Sequence, residues 1–227
     1  MKDLPTEFDE NIIIAAVPKR ESPYDMLVSN NGYNFNELPV GAIIGTGSPR
    51  REAQLRHIRP DLKIKSIRGN IETRLRKLEE GIYDAIILAE AGLNRLHINK
   101  NAKVLPINDF LTAPGQGALA ITIRKDRNDL KKIFNKLNHI ESNLEITAER
   151  AFLTEIGGGC KVPIAALARS IDDKLSINAM ILSFDGKQRY QSKLVDEIGS
   201  AKAIGIKVAK HLIEQSGGKI KMVKQYE

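Results

Sequence analysis

Three apolar runs that each lead into a helix constrain the fold of this chain more than any other feature. The runs cover residues 40–45, 62–67 and 85–88. The first two helices are predicted to begin near Ser48 and Asn70, and the third to end near Leu96. Buried-type strands that alternate with helices at this spacing are typical of a parallel α/β sheet. We therefore expect an α/β domain over residues 24–110.

A different pattern begins near Ile140. Apolar residues recur there at helical spacing, and Ser142 with Glu145 has the form of a capping box. Beyond residue 160, turn residues at 172–173 and 185–186 separate three strand-like runs, and a helix is predicted over residues 200–215. Strands in hairpin order predict a small α+β domain with a three-stranded antiparallel sheet.

The segment from Gly45 to Arg51 has the composition of an anion-binding helix start. A glycine-rich turn precedes Ser48, the predicted N-cap, and Pro49 at the first helical position. The free N–H groups and the dipole of a helix start attract anions but repel cations such as Arg50 and Arg51. A negative ligand would relieve this repulsion, and two ordinary surface arginines are the alternative. The segment is neither a dinucleotide fingerprint nor a Walker loop.

A second arginine-bearing helix start follows the next apolar run. Arg68 and Gly69 precede the predicted cap Asn70, and Arg74 lies one turn further along. Because parallel strands end at one edge of a sheet, both helix starts are expected to face a single crevice. The planar arginine fork suits carboxylates in particular. The residues alone therefore predict a cleft that binds a multiply charged anion.

The overall charge agrees with an anionic partner. The 227 residues carry a formal net charge of +7, with 5% aromatic residues and no tryptophan. Scarce aromatic residues and the absence of helix-turn-helix or zinc-finger spacing leave nucleic-acid binding as an alternative that rests on charge alone. One cysteine allows no disulfide framework, and four scattered histidines predict no metal site. No membrane-span or signal pattern is present, so we expect a cytoplasmic protein.

The single cysteine, Cys160, follows three glycines at the predicted end of a helix. A lone cysteine is usually a small buried hydrophobic residue. Here the glycines predict an accessible loop, and the charges of Arg150 and Lys161 favour the reactive thiolate. Cys160 is therefore also a candidate for covalent attachment.

The stretch from Glu149 to Ala165, which surrounds Cys160, resembles the cofactor-attachment signature of the porphobilinogen deaminase family. Further motifs of that family occur in the same order, at residues 2–5, 20–25, 45–51, 68–70 and 114–118. The resemblance thus covers essentially all of the chain. It departs at Gly47, where the family commonly has serine, and at the start, where roughly the first eighty residues of the family pattern are not represented.

The resemblance implies a transferase, hydroxymethylbilane synthase. Cys160 would hold a dipyrromethane cofactor through a thioether bond, and porphobilinogen would lose ammonia as each pyrrole is added. Four rounds and hydrolysis would give the linear tetrapyrrole of porphyrin biosynthesis. Asp3 would be the catalytic residue, since a fixed carboxylate stabilises the cationic charge that develops on the pyrrole. Without the resemblance, a carboxylate so near a terminus is expected to be a solvated charge.

The resemblance also implies which side chains bind the cofactor and substrate. They are Lys2, Thr46, Ser48, Arg50, Arg51, Arg68, Gly69, Arg74 and Gln116. It implies a monomer that binds porphobilinogen and the growing polypyrrole chain, and neither a metal, nucleic acid nor a membrane.

The family fold implies two lobes like those of periplasmic binding proteins, each with a parallel sheet, and a C-terminal α+β domain. The corresponding residues are 1–18 with 118–138 for an incomplete first lobe, 24–110 for the second lobe, and 140–227 for the last domain. Segments 18–23 and 108–117 would form a double hinge. We expect a chain without the front segment to be weakly active or inactive. A non-catalytic anion-binding module of two lobes is the alternative, although such a module has no need of Cys160.

Overall fold

The computed structural model describes residues 1–6, 8–98, 101–157 and 162–217. The strands are β1 Ile12–Ala16, β2 Asp25–Ser29, β3 Ile43–Gly45, β4 Lys63–Lys65, β5 Ala85–Ala89, β6 Ala102–Val104, β7 Ile121–Arg124, β8 Ile164–Ile171, β9 Lys174–Leu182 and β10 Arg189–Glu197. The α-helices are α1 Pro49–Ile58, α2 Ile71–Glu79, α3 Glu90–Arg95, α4 Asn128–Phe134, α5 Ile140–Ile156 and α6 Ala201–Gln215. Over these described ranges, no helix combines the length and the apolar character that crossing a bilayer would require.

The central sheet has five strands in the order β4-β3-β5-β2-β6. β3 runs parallel to β4 and β5, whereas β2 runs antiparallel to both of its neighbours, β5 and β6. The three predicted strands β3, β4 and β5 are parallel to one another, as expected. Strand β2, which was not among the predicted strands, makes the sheet mixed.

Both faces of this sheet pack against apolar side chains. Leu27 and Ile87 lie in one core together with Leu55 of α1. Val28 and Ile86, which point to the opposite face, lie in a second core that α2 and α3 help to form. The sheet is thus the middle layer of an α/β domain, as predicted.

Helices α1 and α2 begin at the predicted positions. The Ser48 side chain accepts a hydrogen bond from the backbone N–H of Arg51 at 3.5 Å, and Pro49 is the first helical residue. The Asn70 side chain accepts from the N–H of Thr73 at 2.8 Å. The preceding strands are shorter than predicted, since β3 and β4 have 3 residues each.

β1 and β7 form a separate two-stranded antiparallel sheet, in which Ile13 lies opposite Ile123. After β1 the chain therefore enters the central sheet, and after β6 it returns to pair β7 with β1. The two connecting segments lie side by side, since the N–H of Glu21 donates to the carbonyl of Gly117 at 3.0 Å.

The last part of the chain contains α5, the antiparallel sheet β8-β9-β10 and α6. Two residues, Asp172 and Asp173, connect β8 to β9, because Ile171 pairs with Lys174. Apolar residues of the three strands pack against α5 and α6 in one core. The predicted three-stranded antiparallel sheet and its turns are confirmed.

The start of α5 differs from the prediction. His139 is the N-cap, and its side chain accepts from the N–H of Ser142, so Ser142 and Glu145 form no capping box. Ser142 Oγ instead accepts from the N–H of Arg20 at 2.9 Å, and Glu145 accepts from the N–H of Ser170 at 3.1 Å. Both side chains are used for long-range contacts, which the local spacing cannot indicate.

Helix α1 is held between the central sheet and the C-terminal sheet. Ala53 on α1 packs with Leu111 and with Met180 of β9. At the β9–β10 connection, Gly186 approaches α1 so closely that a Cβ there would lie 2.6 Å from the carbonyl oxygen of Ala53. The helix that carries Arg50 and Arg51 is therefore fixed from both sides.

Candidate functional site

Arg50 and Arg51, in the first turn of α1, both contact the carboxylate of Asp25 at the start of β2. Arg50 Nη1 lies 2.8 Å from one carboxylate oxygen, and Arg51 Nη2 lies 2.6 Å from the other. All three residues are buried, with relative exposures of 4%, 6% and 1%. The interpretation of the two arginines as ordinary surface residues is therefore wrong.

The charges of Arg50 and Arg51 determine the ionisation of Asp25. Burial alone would raise the pKa of the carboxyl group, but the two guanidinium charges and their hydrogen bonds outweigh it and hold the pKa well below its usual range. One carboxylate thus compensates only one of two positive charges. The net positive charge left at this helix start favours a further anion.

Backbone carbonyls satisfy part of the remaining hydrogen-bonding capacity. Arg51 Nη1 donates to the carbonyl of Ile87 at 2.9 Å, and Arg50 Nη1 donates to that of Leu111 at 2.6 Å. Among the described residues, the buried Nε of Arg50 has no hydrogen-bond acceptor. A buried donor without an acceptor is costly, so this atom is a candidate contact for an acidic ligand.

Gln116 connects this cluster to the start of the chain. Its Nε2 donates to Asp25 at 2.9 Å and to the carbonyl of Pro23 at 2.6 Å, and its Oε1 accepts from Lys2 Nζ at 3.4 Å. Burial, and then the charge of Arg51, lowers the pKa of Lys2. An anion beside this amine would stabilise its charged form and so raise its pKa again.

Two cavities meet at this cluster. The first, of about 240 Å³, is lined by Lys2, Asp3, Gly47, Ser48, Pro49, Arg50, Arg51, Ala113, Pro114, Gln116, Leu153, Val162 and Ile164. The second, of about 340 Å³, is lined in part by Lys2, Asp3, Arg51, Gly69, Asn70, Arg74 and Arg95. Lys2, Asp3 and Arg51 border both cavities. The exposed carboxylate of Asp3 is therefore placed where a ligand in either cavity would lie.

Arginines from three helices, α1, α2 and α3, line the second cavity. Arg74 Nε donates to the carbonyl of Gly69 at 2.8 Å, which orients the guanidinium. Burial lowers the pKa of Arg74, and the charge of Arg51 lowers it further. Arg95, in the last turn of α3, lines the same cavity. The two arginine-bearing helix starts do converge, as the sequence predicted.

Two predicted binding residues lie outside both cavity linings. Thr46 is buried, and its hydroxyl accepts from the N–H of Ser48 at 3.2 Å, so it stabilises the turn before α1. Arg68 is exposed, and its carbonyl accepts from Lys77 Nζ at 3.3 Å. Their roles as binding residues stay predictions.

Sequence reasoning missed Asp25 and Arg95. Asp25 is the last residue of a motif that carried the resemblance, and a carboxylate that begins an apolar strand was an available signal. The sequence offers no such signal for Arg95, because basic residues are common in the last turn of a helix.

Cys160 lies outside the described residues, as do its neighbours 158, 159 and 161. Helix α5 leads toward it and ends at Ile156, with Gly157 in the left-handed conformation at φ 71°. Leu153 on this helix and Val162 both line the first cavity. The described residues on either side of Cys160 thus border the cavity that Arg50 and Ser48 also line.

The described ranges contain no group of three or more His, Cys, Asp or Glu side chains that could hold a metal ion.

Comparisons with known proteins identify the family of this chain. Residues 1–132 match the family model described as porphobilinogen deaminase, dipyromethane cofactor binding domain, and residues 143–214 match the model for the porphobilinogen deaminase C-terminal domain. Solved structures that match part of this chain include an amino acid ABC transporter substrate-binding protein from Streptococcus pneumoniae bound to L-arginine (21% identity, 56% of this chain and 54% of that one, TM-score 0.36). An ancestral cationic amino acid solute binding protein (18% identity, 56% and 55% coverage) has a TM-score of 0.38.

Curated relatives are much more similar in sequence. The porphobilinogen deaminase of Pelotomaculum thermopropionicum is 45% identical over 221 residues, which are 97% of this chain and 71% of the relative. That of Syntrophomonas wolfei is 44% identical and covers 97% of this chain and 72% of the relative. That of Brevibacillus brevis is 41% identical over 222 residues. With both family models and these relatives matched, the chain belongs to the porphobilinogen deaminase family.

Proposed function

We propose that this chain carries out the hydroxymethylbilane synthase reaction of its family in porphyrin biosynthesis. Each round breaks the C–N bond of one porphobilinogen aminomethyl group, releases ammonia and forms one C–C bond to a pyrrole α-carbon, which loses its proton. After four rounds, hydrolysis releases the linear tetrapyrrole. The observation that carries the proposal is the cluster of Arg50, Arg51 and Lys2 beside Asp3. The cluster places cations that can bind the acidic side chains of a pyrrole next to one exposed carboxylate.

The first cavity is proposed to hold part of the dipyrromethane of the family, because cationic groups line it. Each pyrrole of this cofactor carries acidic side chains, and the buried Nε of Arg50 is a donor without an acceptor among the described residues. Arg50, Ser48 and Lys2 would hold the carboxylates, and Cys160 would form the thioether bond. When bound, the cofactor supplies the nucleophilic α-carbon to which the first pyrrole is added.

Asp3 is proposed as the catalytic residue. Its carboxylate borders both cavities, so it can lie beside a pyrrole held between them. Positive charge develops on that ring as ammonia leaves, and a fixed carboxylate stabilises this charge and can accept or return a proton. The neighbouring Lys2 would bind a substrate carboxylate.

The second cavity is proposed to accommodate the growing chain. Gly69 and Arg74 border it, and Arg95 adds a third arginine to Arg51 and Arg74. Arginine binds carboxylates through two parallel hydrogen bonds, and a chain that gains two carboxylates per pyrrole needs several such partners. Thr46 and Arg68 are also proposed to bind the cofactor or the growing chain, as the family resemblance implies.

The domain division is proposed on the same basis. β1 and β7 would belong to one lobe (residues 1–18 and 118–138), the central sheet to a second (24–110), and α5 onward to a third domain (140–227). The arrangement of the two lobes would be like that of periplasmic binding proteins, with hinges at 18–23 and 108–117. A single cysteine suits a reducing compartment, so a monomeric cytoplasmic enzyme is expected.

Intact mass of the purified chain tests the proposal, before and after incubation with porphobilinogen. We expect an added mass of two pyrroles on the native chain and its absence from Cys160→Ala. Further steps of one pyrrole each should then appear with substrate, and their rate shows whether the activity of this chain is as weak as its sequence leads us to expect. Asp3→Asn should carry the two-pyrrole mass but add further pyrroles far more slowly. A bare mass that never changes would reject the enzymatic function and favour a non-catalytic anion-binding protein.

A further inference from the structure

The segment that carries Lys2 and Asp3 is held at its beginning by the loop at residues 115–118. Gly115 approaches so closely that a Cβ there would lie 2.9 Å from the Met1 side chain and 3.0 Å from the nitrogen of Lys2. The Lys2 ammonium contacts Gln116, and the side chain of Met1 packs with Ala118. These contacts fix the segment on the side before Asp3.

The same segment is held on the side after Asp3 by one arginine of helix α5. Arg150 Nη2 donates to the carbonyl of Pro5 at 2.7 Å and to that of Thr6 at 3.0 Å. Its guanidinium also lies 5.0 Å from the centre of the Phe8 ring, which is within cation–π range. Among the described residues, Arg150 has no ion pair with a carboxylate, so the contacts described for its guanidinium are those with this segment.

Asp3 and Leu4 lie between these two contact regions. The N–H of Leu4 donates to the carbonyl of Met1 at 3.1 Å, which closes a turn around Lys2 and Asp3. A short turn with fixed ends presents its exposed carboxylate in one place. If one end is released, Asp3 gains freedom that a reacting geometry does not allow.

We propose that Arg150 is a positioning residue that holds the Asp3 turn at a fixed place relative to helix α5. The contact thereby ties the turn that carries Asp3 to helix α5, which ends at Ile156, four residues before Cys160 in the sequence. The proposal rests on the proposed function for the roles of Asp3 and Cys160. The placement of the turn by Arg150 can be tested separately from those roles.

The first variant is Arg150→Lys, which keeps the charge but has a shorter side chain without the Nη2 group that reaches both carbonyls. The second is Phe8→Leu, which removes the ring and retains an apolar side chain. Arg127→Lys is the control, because Arg127 is a half-exposed arginine whose contact is Asp129 on the surface. Hydrogen exchange of the peptide around residues 1–13 is measured for each chain, together with its urea unfolding midpoint.

Both variants should exchange about tenfold faster in this peptide, at an unfolding midpoint like that of the wild type, because local opening requires fewer broken contacts. Arg127→Lys should exchange like the wild type. Unchanged exchange in both Arg150→Lys and Phe8→Leu would overturn the proposal, whatever the activity. If Arg150→Lys fails to fold, the exchange rate of Phe8→Leu alone shows whether the Arg150 contacts hold this segment.

The rate of pyrrole addition gives the second readout. Arg150→Lys should lower kcat about tenfold or more with little change in KM, and should keep the two-pyrrole mass on Cys160. In an Asp3→Asn background, the same substitution should lower kcat less than twofold, because the carboxylate that it positions is gone. If Arg150→Lys lowers kcat by the same factor in the wild type and in the Asp3→Asn background, the positioning role is overturned. A wild-type chain that adds no pyrrole would reject the proposed function, while hydrogen exchange would still decide the placement of the turn.

Discussion

Arg20 and Glu149 form a bidentate ion pair inside the protein, although 129 positions separate them in the chain. Nη1 lies 2.7 Å from one carboxylate oxygen of Glu149 and Nη2 lies 3.1 Å from the other. The side chains are 3% and 0% exposed. The same carboxylate accepts from the N–H groups of Gly115, at 2.6 Å, and Ala168, at 2.8 Å. Helix α5 is thereby connected to both segments that link the sheets and to strand β8.

The first prediction concerns this ion pair. Arg20→Met should lower the free energy of unfolding by about 3–5 kcal/mol, because it leaves the buried charge of Glu149 without its partner. Urea unfolding at neutral pH measures the loss. Arg127→Met, at an exposed arginine, is the control and should change stability little. A loss below about 1 kcal/mol in Arg20→Met would mean that the pair does not hold these segments together.

The second prediction concerns the pH dependence that Asp25 creates. Its pKa in the folded protein lies below the unfolded value, so its stabilising effect is fully present above about pH 4 and is lost as the pH falls toward the folded pKa. Asp25→Asn lacks the charge at every pH. The stability difference between wild type and variant should therefore be constant from neutral pH to about pH 5 and shrink below about pH 4.

Urea unfolding at a series of pH values from 7 to 3 checks this prediction in both chains. Asp129→Asn serves as the control, because Asp129 is paired with Arg127 but exposed to solvent. Because solvent screens this pair, the free energy of unfolding of Asp129→Asn should stay close to that of the wild type at every pH. A difference for Asp25→Asn that stays constant down to pH 3 would contradict the assignment of a strongly lowered pKa to Asp25.

The sequence allowed the local elements of this site to be predicted, because local chemistry determines them. Ser48, Pro49 and Asn70 identify two helix starts whatever surrounds them, and the structure has both helices there. The convergence of two arginine-bearing loops followed from the alternation of strands and helices. Two-residue turn signals likewise predicted the C-terminal sheet.

Long-range pairing was beyond the reach of the sequence. Nothing local indicates that Asp25 accepts from Arg51, which lies 26 positions away. Ser142 and Glu145 have the spacing of a capping box, but contacts with distant backbone groups determine their orientation. Strand β2 was not predicted at all, because its five residues begin with Asp25, end with Ser29 and contain only a short apolar run.

The third prediction concerns the close approach of Gly186 to helix α1. Gly186→Ala should destabilise the protein in two ways. Its φ of 74° is strained for any residue with a Cβ, and that Cβ would lie 2.9 Å from the N of His57. The loop would have to move, and the 2.8 Å contact of His57 Nδ1 with the Gly186 carbonyl would be lost.

Gly41→Ala is the matched control, since Gly41 has a φ of 79° and no atom within 4 Å of the added Cβ. Both substitutions place a residue with a Cβ in the left-handed conformation, which costs about 1–2 kcal/mol in each variant. Gly186→Ala should lose about 1–3 kcal/mol more in urea unfolding because of the overpacked contact. Equal losses in the two variants would show that the loop does not pack closely on α1.

The last prediction compares two arginines of helix α2. Arg74 lines the second cavity and is oriented by the Gly69 carbonyl, whereas Arg76 is exposed and paired with Glu80. Arg74→Lys should raise KM for porphobilinogen about tenfold, because a lysine cannot bind a carboxylate through two parallel hydrogen bonds. Arg76→Lys should leave KM unchanged. Steady-state kinetics, with the mass of the chain-bound pyrroles, measures both. Equal KM values in the two variants would place the growing chain elsewhere than in this cavity.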